Sequence, residues 1–292
     1  MRRAALLYNP RAGQHRKMRL EAIRAELAAG GWSLDFRATE SPEHCRELAS
    51  AAVGEALDAL FVLGGDGTLR VAASALAGST VALGALPGGT TNVVALALGL
   101  PFDPVAAARR LATGAPRRFD LGRAGDDVFL MQLSGGLDAR ILAAVDPRLK
   151  QRIGKGAVLV AGLREWRRYD FPLFELEVDG RSVTATGFVA ANLAEYAGRL
   201  RIVPDARADD GRLELLLFRG RRRRDAFRFA LDLVRGRHVE RGDVEVVTAE
   251  TVRLLSAAGG ALQLDGDPYA PPLPLPIGLA AASIDLLVPP TA

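Results

Sequence analysis

The first third of the chain alternates between strand-like and helix-like patterns of apolar residues. Leu20, Ile23 and Leu27 share one face of a helix at 3.6 residues per turn, and Gly30 follows them as a stop. Apolar and polar residues then alternate over positions 32–36, as in a strand with one buried face. Repetition of this unit predicts a parallel sheet covered by helices.

Further strand and helix signals extend this pattern. Short apolar runs at 59–63 and 81–86 are predicted as strands. Ser41–Pro42 and Asp103–Pro104 each join a capping side chain to a proline that suits the first helical turn, so each predicts a helix start. We therefore predict an N-terminal α/β domain over residues 1–118.

The pattern changes at Phe119, and strands dominate from there. Gly125–Asp127 and Asp179–Gly180 stand between short apolar runs, as β-hairpin turns do. Helices are predicted near 138–145, 157–169 and 223–235. We predict a second, mainly antiparallel β domain over residues 119–281. The proline-rich stretch 271–276 is interpreted as a connector before a last strand at 282–288.

Glycine-rich segments follow the two apolar runs at 59–63 and 81–86. The first reads Gly-Gly-Asp-Gly-Thr over 64–68, and the second reads Pro-Gly-Gly-Thr-Thr-Asn over 87–92. Glycines let backbone N–H groups approach phosphate oxygens, and a following helix N-terminus adds partial positive charge. Carboxyl ends of parallel strands meet at one edge, so both segments are predicted to face one polyphosphate. A plain strand-to-helix turn is the alternative for a Gly-Asp-Gly alone.

Asp66 puts one carboxylate among these glycines. A carboxylate repels phosphates unless a cation lies between them or the carboxylate handles a proton. We therefore predict that Asp66 holds Mg²⁺ or acts as a general base.

Three segments, taken in order, resemble the catalytic domain of the diacylglycerol kinase family, which includes bacterial lipid kinases and sphingosine kinases. They are NPRAG at 9–13, GGDGT at 64–68 and PGGTTN at 87–92. The resemblance continues through SGGLDAR at 134–140, the segment 204–213, LDGD at 264–267 and the terminal LLVPP. It implies a Rossmann-like N-terminal domain of the NAD kinase and diacylglycerol kinase type, to which residues 282–292 return.

The resemblance also implies an activity. It implies transfer of the ATP γ-phosphate, with Mg²⁺, to a lipid hydroxyl of diacylglycerol or a related lipid, giving a phospholipid such as phosphatidic acid. Two alternatives stay open. NAD kinases carry similar Gly-Gly-Asp-Gly segments, and the chain could instead be a catalytically weakened protein that binds nucleotide or lipid.

Nucleotide-binding residues follow from the glycine-rich segments and from the resemblance. They are Asn9, Thr39, Gly64, Gly65, Asp66, Gly67, Thr68, Gly89, Thr90, Thr91 and Asn92. Thr39 has an alternative role as a turn residue before a helix.

Asp66 and Asp267 are the candidate catalytic residues. The family usually has Glu as a proposed proton acceptor where this chain has Asp267, which is shorter by one C–C bond, about 1.5 Å. That departure leaves the choice of base between Asp267 and Asp66 open. A simple hairpin turn is the alternative for 264–267.

Two more acidic residues have roles implied by the resemblance. Asp138 resembles a residue near the lipid headgroup, and a helix cap is its alternative role. Asp210 resembles part of a structural divalent-ion site, with the backbone carbonyls of Arg207 and Arg212. An ordinary acidic turn is the alternative there.

Composition narrows the class of protein. The chain has 292 residues, 49% of them hydrophobic and 25% charged, as in ordinary soluble globular proteins. No apolar stretch approaches the roughly 20 residues that a membrane span needs, and the N-terminus does not resemble a signal peptide. We expect a cytoplasmic protein, peripheral to the inner face of the membrane. A single cysteine, Cys45, and three histidines predict neither an internal disulfide nor a thiolate or imidazole metal cluster.

The net charge of +4 is concentrated locally in a run of arginines over Arg219–Arg228. Such a run is predicted to contact anionic lipid headgroups at the membrane surface where the lipid substrate resides, and a solvated helix face is the alternative. Nucleic acid is not an expected partner, because the chain has no recognisable nucleic-acid-binding module. The sequence leaves the oligomeric state open, and a homodimer is one option.

Overall fold

The computed structural model describes residues 1–10, 16–145 and 156–290. The chain divides into two compact units. The first unit comprises Met1–Leu121 with Ala281–Ala292, and the second unit comprises Gly122–Ala280. The sequence places the corresponding boundaries at 118/119 and 281/282.

The first unit is a parallel sheet with helices between its strands. Its strands are β1 (Arg2–Tyr8), β2 (Trp32–Ala38), β3 (Ala59–Gly64) and β4 (Ala82–Pro87). Its described helices are α1 (Arg16–Ala29), α2 (Pro42–Gly54), α3 (Asp66–Leu76), α4 (Val93–Ala97) and α5 (Pro104–Ala112). The strand order is β2-β1-β3-β4, and Leu286 of the last strand pairs in parallel with Leu83 of β4.

Both predicted helix starts are confirmed by their caps. The Ser41 hydroxyl accepts a hydrogen bond from the His44 N–H at the start of α2. The Asp103 carboxylate accepts from the N–H groups of Val105 and Ala106 at the start of α5. These bonds satisfy donors that have no partner inside the helix.

Aromatic packing fixes the middle of the first unit's sheet. The ring of Phe61 on β3 meets the ring of Trp32 on β2 edge to face, with centroids 5.3 Å apart. Gly84 on β4 makes room for this ring, since a Cβ there would lie 2.4 Å from a Phe61 ring carbon. The strand β3, whose end precedes the first glycine-rich segment, is therefore held by close packing.

The second unit contains strands of two larger antiparallel sheets and one two-stranded antiparallel sheet. The following strands and helices lie in it, except that β5 and β18 also extend into the first unit: β5 (Ala115–Ala124), β6 (Asp127–Phe129), β7 (Gln132–Gly135), α6 (Leu137–Ala143), α7 (Gly156–Arg168), β8 (Phe174–Val178), β9 (Arg181–Ala185), β10 (Gly187–Ala191), β11 (Glu195–Tyr196), β12 (Leu200–Arg201), β13 (Leu213–Phe218), α8 (Arg223–Val234), β14 (Val244–Ala249), β15 (Val252–Ser256), β16 (Leu262–Leu264), β17 (Asp267–Tyr269) and β18 (Leu275–Val288). One sheet has the order β14-β13-β10-β7-β16-β17. The other pairs Leu275–Ile277 of β18 with β15, then β8 and β9.

Side chains from both sheets form one apolar core in the second unit. Phe174 of β8 and Phe188 of β10 pack edge to face with ring centroids 5.4 Å apart, and both are fully buried. The predicted fold class, a parallel α/β domain joined to a mainly antiparallel β domain, is confirmed.

The last strand begins earlier than the sequence predicts. The predicted strand at 282–288 is confirmed, but the prediction of a connector over 271–276 is wrong at its last two residues, because β18 already starts at Leu275. Leu275 and Ile277 alternate into the core, and this burial outweighs the missing N–H of Pro276. The Pro276 carbonyl still accepts a hydrogen bond from the Gly125 N–H.

Cys45 is a buried residue of α2 with a free thiol. Burial raises the pKa of this thiol to about 11. The thiolate form is therefore scarce at neutral pH, which fits a packing role for this side chain.

Candidate functional site

Asp66 joins the two glycine-rich segments of the first unit. It is the first residue of α3, directly after Gly65, which caps that helix. Its carboxylate oxygens accept hydrogen bonds from the N–H groups of Val93 and Val94, at 3.1 and 3.2 Å, at the start of α4. The first turn of α3 and the segment before α4 are thus brought together by one side chain.

Opposing effects act on the charge of this carboxylate. Burial raises the pKa of Asp66, and the hydrogen bonds from the backbone N–H groups of Val93, Val94 and Asn92 lower it. Burial is the largest of these effects, so the pKa of Asp66 is raised overall, and the backbone donors partly offset this by stabilising the ionised form.

Glycines allow the two segments to touch through their backbones. The Gly88 N–H donates to the Gly64 carbonyl at 2.9 Å. A Cβ added to Gly89 would lie 2.6 Å from the Gly65 Cα, which is shorter than any normal contact. A Cβ added to Gly65 would lie 3.4 Å from the Gly89 Cα, which is an ordinary contact. Packing between the segments therefore requires glycine at position 89 but not at position 65.

Asn92 closes the second glycine-rich segment on itself. It adopts a left-handed conformation with φ 51°, just before α4. Its Oδ1 accepts from the Gly89 N–H at 2.8 Å, and its Nδ2 donates to the Gly89 carbonyl at 2.9 Å. The Gly89 N–H, which we expected to be open to phosphate, is engaged inside the segment. Thr90 is exposed and Thr91 is partly exposed.

Thr39 and Asn9 follow neighbouring parallel strands. Thr39 is buried, its N–H donates to the Tyr8 carbonyl, and its hydroxyl donates to the Ser41 carbonyl at 3.1 Å. These bonds match the turn role that was the alternative for this residue. Asn9 is exposed beside the end of β1, and positions 11–13 of the NPRAG segment lie outside the described residues.

A matched pair of glycine variants separates packing from phosphate approach. Gly89→Ala is expected to lower the thermal unfolding midpoint, because its Cβ has no room against the Gly65 backbone. Gly65→Ala is expected to keep that midpoint, because its Cβ finds normal contact distance and its φ of −93° suits alanine. Its calorimetric ATP affinity should nevertheless fall at least about tenfold, since the methyl group would crowd a phosphate at the start of α3. Unchanged ATP affinity in Gly65→Ala would contradict the phosphate assignment.

A chain of hydrogen bonds links Asp138 to a hairpin in the second unit. Ser134 on β7 and Gln263 on β16 are cross-strand partners. The Ser134 hydroxyl donates to the Asp138 carboxylate and accepts from Gln263 Nε2 at 2.7 Å. Gln263 Oε1 in turn accepts from the Gly266 N–H at 2.6 Å. Asp138 is therefore connected to the turn that precedes Asp267.

The surroundings of Asp138 resist its ionisation. Burial raises the pKa of Asp138, and hydrogen bonds from Ser134, Gln263 and the Ala139 N–H act in the opposite direction. The Tyr196 hydroxyl also hydrogen-bonds Asp138, and the pKa of Tyr196 is raised well above its usual value by burial and by this neighbouring carboxylate. The group is a partly desolvated carboxyl with polar partners on several sides.

Asp138→Asn is expected to stabilise the second unit at neutral pH. The folded pKa of Asp138 is raised, so this carboxyl contributes its full stability below the unfolded pKa and loses it as pH rises through the folded pKa. Asparagine has no such loss, so the variant should gain on the order of 1 kcal/mol at about pH 8 and less at about pH 4. Urea denaturation at the two pH values measures this difference. An equal effect at both would show that the raised pKa does not govern stability.

The hairpin that carries Asp267 is held by a different aspartate. Asp265 and Gly266 form its two-residue turn with φ of 50° and 89°, the left-handed pair that tight hairpins require. The buried Asp265 carboxylate accepts from the N–H groups of Leu130, Met131 and Gln132 at 2.7 to 2.9 Å. Asp267, the candidate base, is exposed and opens β17 opposite Leu264. The hairpin expected as the alternative is thus present, and its first aspartate is structural.

Asp210 lies in an exposed turn of the second unit. Its Oδ1 accepts from the Arg212 N–H at 3.0 Å, and Gly211 between them has φ 71°. Arg207 is exposed nearby and pairs with Asp209. Within the ranges that the structure describes, no group of three or more His, Cys, Asp or Glu side chains is arranged to hold a metal. The divalent-ion site at Asp210 stays a prediction.

Sequence reasoning missed Ser134, Gln263 and Asp265. A signal existed for two of them, because Gln263 lies between the two leucines of β16 and Ser134 follows Leu133 in the short strand β7. Buried polar side chains of this kind need a partner. Their pairing with each other depends on the β7–β16 register, which one sequence does not reveal.

Two family models match the chain. The model described as the diacylglycerol kinase catalytic domain matches residues 3–124. The model described as the YegS C-terminal NAD kinase beta sandwich-like domain matches residues 131–288. Together they cover both units.

Curated proteins and solved structures agree with these matches. A diacylglycerol kinase from Mycobacterium tuberculosis (strain CDC 1551 / Oshkosh) is 33% identical over 253 residues, 84% of this chain and 81% of that protein. A diacylglycerol kinase from Bacillus subtilis (strain 168) is 28% identical over 280 residues, 91% of this chain and 90% of that protein. The crystal structure of a diacylglycerol kinase from Bacillus anthracis str. Sterne shares the fold, with a TM-score of 0.75 at 20% identity over 99% of this chain and 97% of that chain. The resemblance found in the sequence is confirmed, and the chain belongs to the diacylglycerol kinase family of lipid kinases.

Proposed function

We propose that this chain transfers the γ-phosphate of ATP to the hydroxyl of diacylglycerol or a related lipid, giving a phospholipid such as phosphatidic acid. The observation that carries the proposal is the joining of two glycine-rich segments by Asp66, which is bonded to the start of α4. Curated relatives that match most of the chain are named diacylglycerol kinase, which supports this acceptor.

The first unit has features that would bind a nucleoside triphosphate. Helix α3 begins at Asp66 after two glycines, so its first N–H groups and its dipole lie where β3 ends. In the proposed site these groups bind phosphate oxygens, and the exposed Thr90 is within the neighbouring segment. Gly89 contributes by close packing rather than through its N–H.

Asp66 also fits a role toward Mg²⁺. Protein sites usually hold Mg²⁺ through one or two carboxylates together with substrate phosphates. A carboxylate has about four lone-pair positions, so Asp66 can keep its backbone hydrogen bonds and still offer an oxygen to a cation. When bound, Mg²⁺ would neutralise charge on the transferring phosphoryl group.

The acceptor hydroxyl must lose a proton during transfer. Asp267 is exposed at the start of β17, where a carboxylate is accessible to a substrate hydroxyl. Asp66 is the alternative base. We propose that Asp138 orients the polar headgroup. In support, Asp138 belongs to the hydrogen-bonded chain through Ser134 and Gln263 that ends at the Asp267 hairpin.

A lipid acceptor also requires contact with a membrane. We propose that the arginines of Arg219–Arg228 contact anionic headgroups, each adding on the order of 1 kcal/mol that fades with salt. Arg221, Arg222, Arg223 and Arg228 are exposed.

A transfer assay with radiolabelled ATP tests the proposed function. The protein is incubated with Mg²⁺ and, separately, with vesicles containing diacylglycerol, ceramide or monoacylglycerol, with NAD, or with buffer alone. Label in a lipid product supports a lipid kinase and identifies the acceptor. Label in NAD alone would replace the proposal with an NAD kinase, and tight ATP binding with no labelled product would indicate a binding protein.

A further inference from the structure

Helix α8 carries an exposed apolar row. Phe227, Leu231 and Val234 are spaced i, i+4 and i+7, so they lie on one face of the helix. Between 38% and 69% of each of these residues is exposed. Ala226 and Leu233 on another face are buried and attach the helix to the second unit. The exposed row is therefore additional to the face that packs.

Helix α7 carries a second exposed row with the same spacing. Leu159 and Leu163 lie on one face with Trp166, and both leucines are more than half exposed. The ring centroids of Trp166 and Phe227 are 6.4 Å apart, and Trp166 Nε1 donates to the Arg223 carbonyl at 3.1 Å. The two rows thus meet at Trp166, and we name Leu159, Leu163, Trp166, Phe227, Leu231 and Val234 the helix-pair surface.

Positive charge borders the helix-pair surface. Arg224, Arg228 and Arg235 follow the row of α8 next to the apolar one, with spacings of four and seven residues, and all three are exposed. The two carboxylates of α8 offset part of this charge, because Asp225 lies 3.6 Å from Arg224 and Asp232 lies 4.0 Å from Arg235. Each carboxylate is also shared with a second partner. Asp225 accepts from the Arg222 N–H, and Asp232 pairs with Arg241 at 2.8 Å. An apolar face beside a row of arginines is the pattern of a helix that lies in a membrane interface.

We propose that the helix-pair surface docks the protein on an anionic phospholipid bilayer. Its apolar rows enter the region between headgroups and acyl chains, while the bordering arginines contact lipid phosphates. Trp166 has the amphipathic ring that is favoured at this depth. This inference rests on the proposed function, since a lipid acceptor resides in the bilayer, and it adds the apolar part of the contact to the arginines already assigned.

Charge argues against a second copy of the chain as the occupant. A symmetric pair would place the same arginine row of both copies around one apolar contact. Like charges in such a position repel, whereas an anionic bilayer offers the opposite sign. None of the described helices is long and apolar enough to cross a membrane.

The two tryptophans provide a direct measurement. Trp32 is buried and Trp166 is part of the helix-pair surface, so lipid contact should change the fluorescence of Trp166. Vesicles of phosphatidylglycerol and phosphatidylcholine with brominated acyl chains are expected to quench it, and Trp166→Phe should remove the quenched component. Absence of quenching when the wild-type protein sediments with these vesicles would overturn the proposal.

A set of variants tests the apolar row separately from the arginines. Phe227→Gln, Leu231→Gln and Val234→Gln, combined, are expected to weaken partition onto the same vesicles at least tenfold. Phe102→Gln is the matched control, because Phe102 is 47% exposed in the first unit. It should partition as the wild type does. The thermal midpoint of the combined variant should fall only slightly, because the replaced side chains are 38% to 69% exposed and the Phe227 contact with Trp166 is the main packing lost.

Activity measurements separate this inference from the proposed function. Phosphorylation of a short-chain diacylglycerol in free solution should be unchanged in the combined variant, while phosphorylation of long-chain diacylglycerol in vesicles should fall with partition. If no lipid is phosphorylated but partition depends on the row, the docking surface stands and the proposed function fails. If partition is unchanged, or if the variant instead dissolves a dimer seen by light scattering, the docking proposal is wrong.

Discussion

Asp66→Asn is expected to lower the turnover of lipid phosphorylation at least about a hundredfold while the protein stays folded. The substitution keeps the shape of the side chain but removes its charge. An amide cannot attract Mg²⁺ as a carboxylate does, and it cannot accept the acceptor's proton. Steady-state kinetics with saturating ATP, on vesicles of the lipid that the labelling assay identifies, measures the effect.

The structural part of the Asp66 role must be separated from the chemical part. Its carboxylate accepts two backbone N–H groups at the start of α4, so Asp66→Asn should also lower the free energy of unfolding by about 1 kcal/mol. Asp103 provides a matched control, because it accepts from two N–H groups at the start of α5 in the same way. Asp103→Asn should show a similar loss of stability with turnover close to that of wild type.

The pair of variants makes the outcome decisive. Equal losses of turnover in Asp66→Asn and Asp103→Asn would mean that the effect arises from weakened helix starts. Wild-type turnover in a folded Asp66→Asn protein would remove Asp66 from the chemistry altogether. Either result would leave the glycine-rich segments as a binding site with no assigned carboxylate.

Local patterns predicted most elements of the fold. The caps at Ser41 and Asp103, the helical face of Leu20 and its neighbours, and the hairpin at Asp179–Gly180 depend on residues close in sequence. Their physical causes act over one or two turns, and so they can be read from the chain. The sequence does not predict that Pro276 lies in a strand, because this strand is stabilised by burial of Leu275 and Ile277 against distant strands.

In the candidate site, too, local features could be predicted and long-range contacts could not. Glycine and aspartate at 64–68 predicted a phosphate-facing segment, but not that Asp66 would bond to the start of α4, 27 positions further on. The contact between Gly89 and Gly65 likewise depends on β3 and β4 being neighbours. Asp138, Ser134 and Gln263 are joined across two strands whose register follows from the whole sheet. The sequence therefore predicted the types of residue in the site, but not the contacts between segments that are distant in the chain.

Asp265→Asn and Asp267→Asn, at the two aspartates of the hairpin, are expected to differ in their effect on stability. Asp265→Asn should lower the free energy of unfolding by about 2 kcal/mol, because one buried carboxylate accepts three backbone N–H groups. Position 265 has a left-handed conformation that asparagine also tolerates, so the loss reports the charge and not the backbone. Asp267→Asn, at an exposed position, should change stability by no more than about 0.5 kcal/mol.

For Asp267, we expect substitution to affect turnover rather than stability. If this carboxylate accepts the hydroxyl proton, Asp267→Asn should lower turnover at least about tenfold at unchanged stability. Asp267→Glu keeps the charge and introduces the glutamate that the sequence resemblance implies for this position, and it should retain turnover within about tenfold of wild type. The hairpin is a regular two-residue turn with Leu264 opposite Asp267, so the longer side chain starts from the same backbone position. Unchanged turnover in both variants would mean that the hairpin is only structural and that Asp66 alone accepts the proton.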